Sequence, residues 1–345
     1  MWRKLYLLPF LICIMVVALK AQDPVFSQFF AAPLQLNPAF AGVTIAPRFT
    51  FNYRNQFSNW PSAYITYAAS FEQEIPSLNS GFGLQLMADE AGDGIYTTNY
   101  VSGIYGYKVK LNKKTFVRIG LEAGFYQARL DWDRLQFADE FDEIEGHTGA
   151  DGNPFYITEE LRPEFLNSTV FDASAGLLFY NENLYAGISL KHLNRPNESF
   201  LKINENLFAG RPLRLTIHAG GEFDLGRRNK HGKSSFISPS LMFVKQGDTG
   251  LINGGAYIGT GRIFAGIWYR HNFTLADATT FMVGAREGIL SIAYSYDITI
   301  SELANAPGGT GSTHEISLII NIEDSKEIQR KRHTSRWNNC FKMFR

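Results

Sequence analysis

The chain has 345 residues, of which 45% are hydrophobic and 14% aromatic, and its 33 basic residues balance 33 acidic ones. Nucleic-acid-binding proteins carry a clear basic excess, so this balance argues against nucleic acid as a partner. Beyond the amino-terminal leader no stretch approaches 18 consecutive apolar residues, and the sequence therefore predicts no membrane-spanning helix.

Residues 1–21 have the pattern of a secretory signal peptide. A basic start at Arg3 and Lys4 precedes an apolar stretch over residues 5–19, and Ala21 supplies the small residue expected before the cleavage point. The sequence thus predicts that the chain leaves the cytoplasm and that the leader is removed.

Residues 22–46 are rich in both proline and large apolar side chains. Prolines at this density rule out a long helix, and the aromatic rings argue against a disordered linker. We expect the segment to bury its rings as a plug in the periplasmic mouth or lumen of a barrel; the alternative is a loose contact with the barrel wall or with a partner. The large apolar residues are Phe26, Phe29, Phe30, Leu34, Leu36 and Phe40, and the prolines are Pro24, Pro33, Pro38 and, just beyond, Pro47.

Residues 47–322 form a ladder of about fourteen segments, each of roughly 8 to 12 residues, in which apolar and polar side chains alternate. Between Val117 and Phe125 the odd positions are all apolar, whereas the even positions include Arg118 and Glu122. Alternation at a period of two describes strands with one apolar face. The ladder predicts an all-β chain that folds as an antiparallel up-and-down transmembrane β-barrel, although a soluble protein of two packed sheets would also alternate.

Glycine and aromatic residues favour the membrane barrel over the soluble protein. The 31 glycines allow tilted strands to curve, and many aromatic residues lie near segment ends, where a barrel has its interfacial girdles. A globular core would draw these rings toward segment middles. The aromatic residues concerned are Phe57, Trp60, Tyr64, Tyr96, Tyr107, Tyr126, Trp132, Tyr180, Tyr185, Trp268 and Tyr269.

The links between segments are alternately short and long. Outer-membrane barrels have short periplasmic turns and longer surface loops, so the link lengths predict which end faces outward. An even number of strands returns the chain to its starting side, and both termini are therefore predicted to be periplasmic. The short links are residues 111–114, 181–183, 259–261 and 287–288, and the long links are 89–95, 130–168, 193–211, 271–279 and 301–312.

The surface loop over residues 130–168 is strongly acidic. Between residues 131 and 164 it holds eleven Asp or Glu and only two Arg. A solvated lid and a docking surface for a secreted partner both agree with this composition. Calcium binding is a third alternative, although the spacing of the oxygen donors does not match a dedicated calcium loop. Those donors are Asp139, Glu140, Asp142, Glu143, Asp151 and Asn153.

The carboxyl-terminal tail over residues 323–345 is basic. It predicts either a solvated tail or a contact with the periplasm or the inner leaflet. It contains Cys340, which is the only cysteine left once Cys13 is removed with the leader, so an intrachain disulfide is excluded.

No motif for a catalytic nucleophile and no metal-ligand spacing stands out, so we predict no enzymatic activity and no cofactor. His218 lies mid-strand on the inward phase and is interpreted as a hydrogen-bonded lumen histidine. Asp297 and Glu315 fall on the inward phase of adjacent strands near the rim, within possible reach of His314. They could bind a cation, but Arg270 and Arg286 nearby in the ladder favour a structural charge network.

Several motifs in the mature chain occur together in one known family. They are Gln-Asp-Pro-Val-Phe-Ser-Gln-Phe at residues 22–29, Leu-Asn-Pro-Ala-Phe-Ala-Gly at 36–42, His-Leu-Asn-Arg-Pro at 192–196, Gly-Ile-Trp-Tyr-Arg at 266–270, Tyr-Ser-Tyr-Asp at 294–297 and His-Glu-Ile at 314–316. These motifs and their order along the chain resemble those of the PorP/SprF family of the Bacteroidetes type IX secretion system. Arg195 stands where the family often has glutamine, and the tail is longer than the family's usual ending.

The resemblance implies a non-enzymatic outer-membrane component that assists the secretion or cell-surface attachment of a client protein, of the adhesin or gliding-filament type. Implied partners are outer-membrane lipid, a client with a type IX sorting domain and other secretion-system components. The alternative is a diffusion porin or a transporter of hydrophobic substrates. The candidate partner-binding residues are Asn37, Pro38, Asn194, Arg195, Pro196, Asp297 and Glu315.

Overall fold

The computed structural model describes residues 23–60, 64–141, 156–200, 210–228, 234–273, 275–301, 304, 309, 311–322 and 325. The predicted leader lies outside these residues. So does the predicted basic tail, apart from Ser325, and with it Cys340.

The strands form one closed antiparallel sheet. Consecutive barrel strands pair with each other, and β1 pairs with β15, which closes the wall. Both β8 and β9 pair with β10 and are separated only by Glu222, so they are two halves of one barrel strand. The predicted fourteen-strand antiparallel barrel is therefore confirmed. The strands are β1 (Arg48–Gln56), β2 (Tyr64–Ile75), β3 (Ser80–Ala91), β4 (Tyr96–Lys110), β5 (Phe116–Leu130), β6 (Asn167–Tyr180), β7 (Leu184–Lys191), β8 (Arg214–Gly221), β9 (Phe223–Arg228), β10 (Ser234–Gln246), β11 (Thr249–Thr260), β12 (Ile263–Asn272), β13 (Ala276–Glu287), β14 (Leu290–Thr299) and β15 (Thr313–Asn321).

The alternation of side chains gives the wall an apolar outer face and a polar inner face. On β5, Leu121 and Phe125 are each 58% exposed on the outside, whereas Arg118 and Glu122 on the other phase are buried. An apolar outer band and a polar interior are what a bilayer demands of a barrel. Among the described residues, no helix has the length and apolar character needed to cross a membrane.

The links divide the barrel into two unlike ends. The links after β5, β7 and β14 lie at one end, which we call the long-loop end. The links after β6, β11 and β13 lie at the opposite, short-turn end. Positive φ angles at Gly261 (67°) and Gly288 (57°) allow two of these turns to be tight.

Residues 23–46, which we call the N-terminal segment, lie inside the barrel. The segment contains three short helical turns, Phe29–Ala31, Pro33–Leu36 and Pro38–Phe40, each too short to be a stable helix without the wall around it. Asp23 contacts residues at the long-loop end, and the segment then runs to Arg48, where β1 begins at the short-turn end. The sequence placed both termini on the short-turn side; the first described residue instead lies at the other end.

The position of the segment also corrects the interpretation of several aromatic residues. Tyr126, Tyr180, Tyr185 and Trp268 are buried inside the barrel and do not belong to an interfacial girdle. The rings lie on the inward phase of their strands, where Tyr185 and Trp268 pack against Phe40 and Phe30 of the N-terminal segment and Tyr126 stacks on Tyr100 of the wall. Tyr64, Tyr107 and Tyr269 are about half exposed on the outer face, as expected for a girdle.

Candidate functional site

The N-terminal segment and the wall around it form the candidate site. Residues 37–42, the second half of the segment, pack directly against glycines of the wall. A Cβ at Gly81 would lie 2.6 Å from the Cα of Gly42, and one at Gly106 would lie 2.6 Å from the carbonyl oxygen of Ala41. A Cβ at Gly120 would collide with the backbone of Pro38 and Ala39. We call these positions, together with two more on β6 and β7, the glycine seat: Gly81, Gly106, Gly120, Gly176 and Gly187.

Asn37 and Pro38, both candidate residues, lie at the centre of the glycine seat and are buried. The Asn37 amide nitrogen donates to the carbonyl oxygens of Leu177 (3.1 Å) and Ile188 (3.2 Å) on the wall. The Asn37 side-chain oxygen accepts from the backbone N–H of Ala39 at 2.8 Å and so begins the last helical turn. Asn37 therefore fixes the segment to two strands at once.

His218 contributes to the same contact. Its Nε2 lies 3.0 Å from the Asn37 amide nitrogen, and its ring packs 5.4 Å from the Phe40 ring between centroids. The inward position of His218 was predicted. Its Nδ1 has no partner among the described residues, so the histidine is only half satisfied.

A cluster of three aromatic rings holds the middle of the segment. Phe30 packs against Tyr257 and Trp268, with ring centroids 5.4 Å and 5.1 Å away and interplanar angles of 27° and 20°, and the latter two rings are 6.2 Å apart. The Trp268 indole N–H donates to the Ser240 hydroxyl at 3.0 Å, which fixes the ring that Phe30 contacts. Packing of this kind adds to the apolar area that Phe30 buries.

Two further candidate residues, Asp297 and Glu315, hold the backbone and side chain of Ser27. Glu315 accepts from the backbone N–H groups of Ser27 and Gln28, each at 2.8 Å. The Ser27 hydroxyl donates to Asp297 at 2.5 Å and accepts from Arg54 at 2.8 Å and Arg270 at 3.2 Å. These residues form the Ser27 cluster, and every charge in it faces an opposite charge.

The Ser27 cluster refines the interpretation of the rim carboxylates. Arg270 pairs with Asp297 at 3.1 Å and Arg54 pairs with Glu315 at 3.1 Å, so a structural charge network is present. His314 does not join it, because its ring accepts or donates a hydrogen bond with the Tyr294 hydroxyl on the outer face, at 2.7 Å. The expected position of His314 within reach of the carboxylates is wrong, since His314 has the opposite phase on β15.

A second charged cluster surrounds Asp23 at the long-loop end. The Asp23 carboxylate contacts His192 Nε2 at 2.7 Å, Arg211 at 2.5 Å and Arg214 at 3.4 Å. His192 Nδ1 contacts Asp172 at 2.9 Å, and Arg211 also pairs with Glu198. We call these residues the Asp23 cluster: Asp23, Asp172, His192, Glu198, Arg211 and Arg214.

The Asp23 cluster changes the proton affinity of its members. Burial disfavours the charged form of His192, but the carboxylates of Asp23 and Asp172 outweigh it and raise the pKa of His192 to about 9. Burial would likewise raise the pKa of Asp23, yet His192, Arg211 and Arg214 hold it well below its usual value. Both ring nitrogens of His192 are engaged by carboxylates, so the geometry suits a fixed ionic contact and not a general base.

The remaining candidate residues lie in the link between β7 and β8. Asn194 and Arg195 are exposed, whereas Pro196 is buried. The Asn194 side chain donates to the carbonyl oxygen of Phe171 (2.6 Å) and accepts from the N–H of Ala173 (3.1 Å), which extends the edge of the wall. The structure thus separates the seven candidates into a lumen group and a loop group, and their role in partner binding stays a prediction.

Sequence reasoning missed the members of the Asp23 cluster, the serine of the Ser27 cluster and the glycine seat. The inward phase of Asp172, Arg214 and Arg54 was a usable signal, because charges facing a barrel interior need partners. Nothing in the local sequence indicated that Asp23 would meet them.

In the described part of the chain, no group of three or more His, Cys, Asp or Glu residues could hold a metal ion. Asp139, one of the possible calcium donors, accepts instead from the Thr158 hydroxyl at 2.9 Å and the Glu159 N–H at 2.7 Å. The latter bond lowers the pKa of Asp139. Four other possible donors, Asp142, Glu143, Asp151 and Asn153, lie outside the described residues.

Comparisons with known proteins agree with the motifs. A family model described as type IX secretion system membrane protein PorP/SprF matches residues 18–320. No curated protein sequence matches the chain.

Solved structures share only a low similarity with the chain. It is 10% identical to the TodX deltaS2S3 mutant monoaromatic hydrocarbon channel, covering 84% of this chain and 93% of that one, with a TM-score of 0.44. It is 9% identical to BamA from Haemophilus ducreyi lacking POTRA domains 1–3, covering 80% and 70%, with a TM-score of 0.37. For a bacterial polysaccharide outer membrane secretin the identity is 8%, the coverage 80% and 98%, and the TM-score 0.36. Similarities at this level carry no conclusion about function.

Proposed function

The chain belongs to the type IX secretion system membrane protein family PorP/SprF, and on that premise we propose that it is a non-enzymatic outer-membrane component that assists the secretion or surface attachment of one client protein. The long-loop end faces the cell surface and the short-turn end faces the periplasm. The client carries a type IX sorting domain, and other components of the secretion system are further partners.

The observation that carries this proposal is the filled lumen. The N-terminal segment bonds to strands all around the wall, from the Glu315 carboxylate on β15 to the backbone carbonyl of Ile188 on β7. A diffusion porin needs a water-filled passage, whereas an anchor needs a rigid barrel with an exposed surface. A lumen occupied by the chain's own residues therefore supports an anchor.

Recovery of partners from the membrane tests the proposal. The full chain, carrying an affinity tag, is purified from outer membranes of a strain that has the secretion system, and the co-purified proteins are identified by mass spectrometry. We expect secretion-system components and a secreted protein with a type IX sorting domain. A folded, correctly located barrel that recovers neither would contradict the proposal.

Conductance of the purified barrel in a planar bilayer tests the porin alternative. We expect the wild-type chain to show little ion conductance because the N-terminal segment occupies the lumen. A variant lacking residues 23–36 should conduct if its wall still closes, which heat-modifiable migration on a gel can verify. Equal conductance of the two chains, at a level typical of open porins, would favour the porin.

A further inference from the structure

A groove crosses the outer face of the barrel, over strands β15, β1, β2, β3 and β4. Its volume is about 540 Å³. Ala69 on β2 lines it, and the strand register places Phe51 on β1 and Leu86 on β3 on either side of that alanine. Phe51 and Leu86 are both 44% exposed on the outer face. A methyl group between two large side chains leaves a slot in the wall, and the slot opens onto the surface that a bilayer covers.

The groove lies where the outer face changes from apolar to polar. On β1 the outward positions run from Phe51 through Tyr53 to Asn55 toward the long-loop end. On β4 they run from Val101 to Asn99 in the same direction, and both Tyr53 and Asn99 line the groove. Tyrosines collect at the boundary between hydrocarbon and headgroups, because the ring is apolar and the hydroxyl is polar. The groove therefore spans that boundary in the leaflet at the long-loop end.

The side chain of Asn99 supplies the groove with a hydrogen-bond donor. Asn99 is exposed on the outer face, and its amide bonds to no other residue in the described part of the chain. A polar group that faces hydrocarbon without a partner is costly. Among the described residues that line the groove none is charged, so nothing there selects a phosphate or another ion. The partner that fits is a neutral acceptor, such as the carbonyl oxygen at the root of an acyl chain.

We propose that this groove binds one membrane lipid with ester-linked acyl chains. One acyl chain lies over Ala69, and the ester carbonyl oxygen at its root accepts a hydrogen bond from the Asn99 amide. The site holds the chain and its ester and leaves the headgroup free. A lipid is the occupant because the groove is uncharged and continues the apolar outer face that the barrel presents to the bilayer. This inference concerns the outer wall alone and does not depend on any client.

Native mass spectrometry of the purified full chain tests the groove. The barrel is delipidated in detergent and titrated with dioleoyl phosphatidylethanolamine, and we expect the wild-type chain to retain one lipid in a saturable way. Ala69→Phe places a ring in the groove and should weaken retention roughly tenfold, the effect of about two methylene groups that lose their contact. Ala123→Phe is the matched control. Ala123 is also exposed on the outer face, on β5 outside the groove, and its variant should bind as the wild type does.

An ether analogue of the lipid tests the role of Asn99. A dialkyl ether phospholipid has the same chains and headgroup but lacks the carbonyl oxygens. We expect the wild-type chain to bind the ester lipid roughly fivefold more tightly than the ether lipid, the effect of one hydrogen bond. Asn99→Leu should bind both lipids equally. Gln127→Leu, which changes the exposed polar neighbour of Asn99 on β5, should keep the preference for the ester.

Three results would overturn the inference, once heat-modifiable migration has verified that each variant is folded. They are a wild-type barrel that retains no lipid or several with equal affinity, equal retention by Ala69→Phe and the wild type, and a preference for the ester that survives Asn99→Leu. A dimer of the barrel that Ala69→Phe disperses would assign the groove to a second copy of the chain and would also overturn it. None of these measurements involves a secreted partner, so the inference and the proposed function fail separately.

Discussion

The two halves of the N-terminal segment are held by different physics. Residues 37–42 lie mainly on the glycine seat, where backbone meets backbone and a single added methyl group has no room, and only Gly42 also bonds to charged side chains, those of Glu72 and Arg118. Residues 23–28 are held by the Asp23 and Ser27 clusters, where carboxylates, guanidinium groups and one imidazole face one another. Steric contacts of the first kind do not respond to pH or salt, whereas ionic contacts of the second kind do. The contacts of residues 37–42 should therefore depend less on pH and salt than the contacts of residues 23–28.

Removing the central carboxylate of the Asp23 cluster should have the largest effect. Asp23→Ala leaves His192, Arg211 and Arg214 buried without their shared partner, a change that costs roughly 3–5 kcal/mol in buried ion pairs. We expect hydrogen exchange to accelerate over residues 23–28 and to stay slow over residues 37–42. The separation of the two halves would be wrong if both regions lost protection together.

A matched control uses an exposed ion pair. Asp133 pairs with Arg162 at 2.8 Å, and the two side chains are 72% and 53% exposed. Asp133→Ala should leave hydrogen exchange in both halves of the segment unchanged, because exposed pairs contribute less than about 1 kcal/mol.

A substitution in the glycine seat should loosen the other half of the segment, residues 37–42. Gly120→Ala inserts a methyl group into the backbone of Pro38 and Ala39, and overpacking of this kind costs up to roughly 3 kcal/mol. We expect a lower thermal midpoint and faster exchange over residues 37–42. Gly103→Ala is the control, since nothing lies within 4 Å of a Cβ at that position, and it should leave the midpoint in place. Equal effects of the two substitutions would show that the seat is not steric.

Alkaline pH should loosen the Asp23 cluster alone. The pKa of His192 is raised from its ordinary 6.5 to about 9, so the protonated ring stabilises the fold fully below pH 6.5 and less as pH rises through about 9. At 1.36 kcal/mol per pKa unit the loss amounts to roughly 3 kcal/mol. Exchange over residues 23–28, corrected for its intrinsic pH dependence, should accelerate across this window. His192→Gln should abolish the dependence, and its persistence in that variant would assign it to another group.

A substitution of Arg195 should not affect the stability of either half of the N-terminal segment. It is exposed, has a φ of 45° and lies in the link between β7 and β8. Arg195→Ala should change the free energy of unfolding by no more than about 0.5 kcal/mol, as measured by thermal unfolding. If Arg195 binds the client, the same variant should recover less of the secreted protein in the affinity purification. Unchanged recovery would remove Arg195 from the candidate partner-binding residues.

The strands of the barrel wall could be predicted from the sequence, but the contacts inside the lumen could not. Alternation within each strand is a local signal, so the outward position of Leu121 and the inward position of Arg118 follow from their neighbours. The two carboxylates that bind Ser27 are 270 and 288 residues away along the chain, and no local pattern encodes such a contact. The glycines illustrate the same limit. They were interpreted as allowing curvature, whereas Gly81, Gly106 and Gly120 make room for the segment.

The burial of rings in residues 22–46 was foreseen, and its direction was not. Proline and aromatic content required Phe30 and Phe40 to be covered, and both are buried. The even number of strands, in contrast, indicates only that the end of the barrel wall lies on the same side as the start of β1. It carries no information on a segment that crosses the lumen before the first strand, which is why Asp23 lies at the unexpected end.

The Ser27 cluster links the two strands that close the wall. Arg54 belongs to β1, the first strand, and Glu315 belongs to β15, the last, and both bind Ser27. The carboxylate that holds Ser27 and Gln28 therefore stands beside Arg54 only when β1 and β15 are paired. A barrel with an open seam would keep the glycine seat on β3 to β7 but lose this shared contact at Ser27.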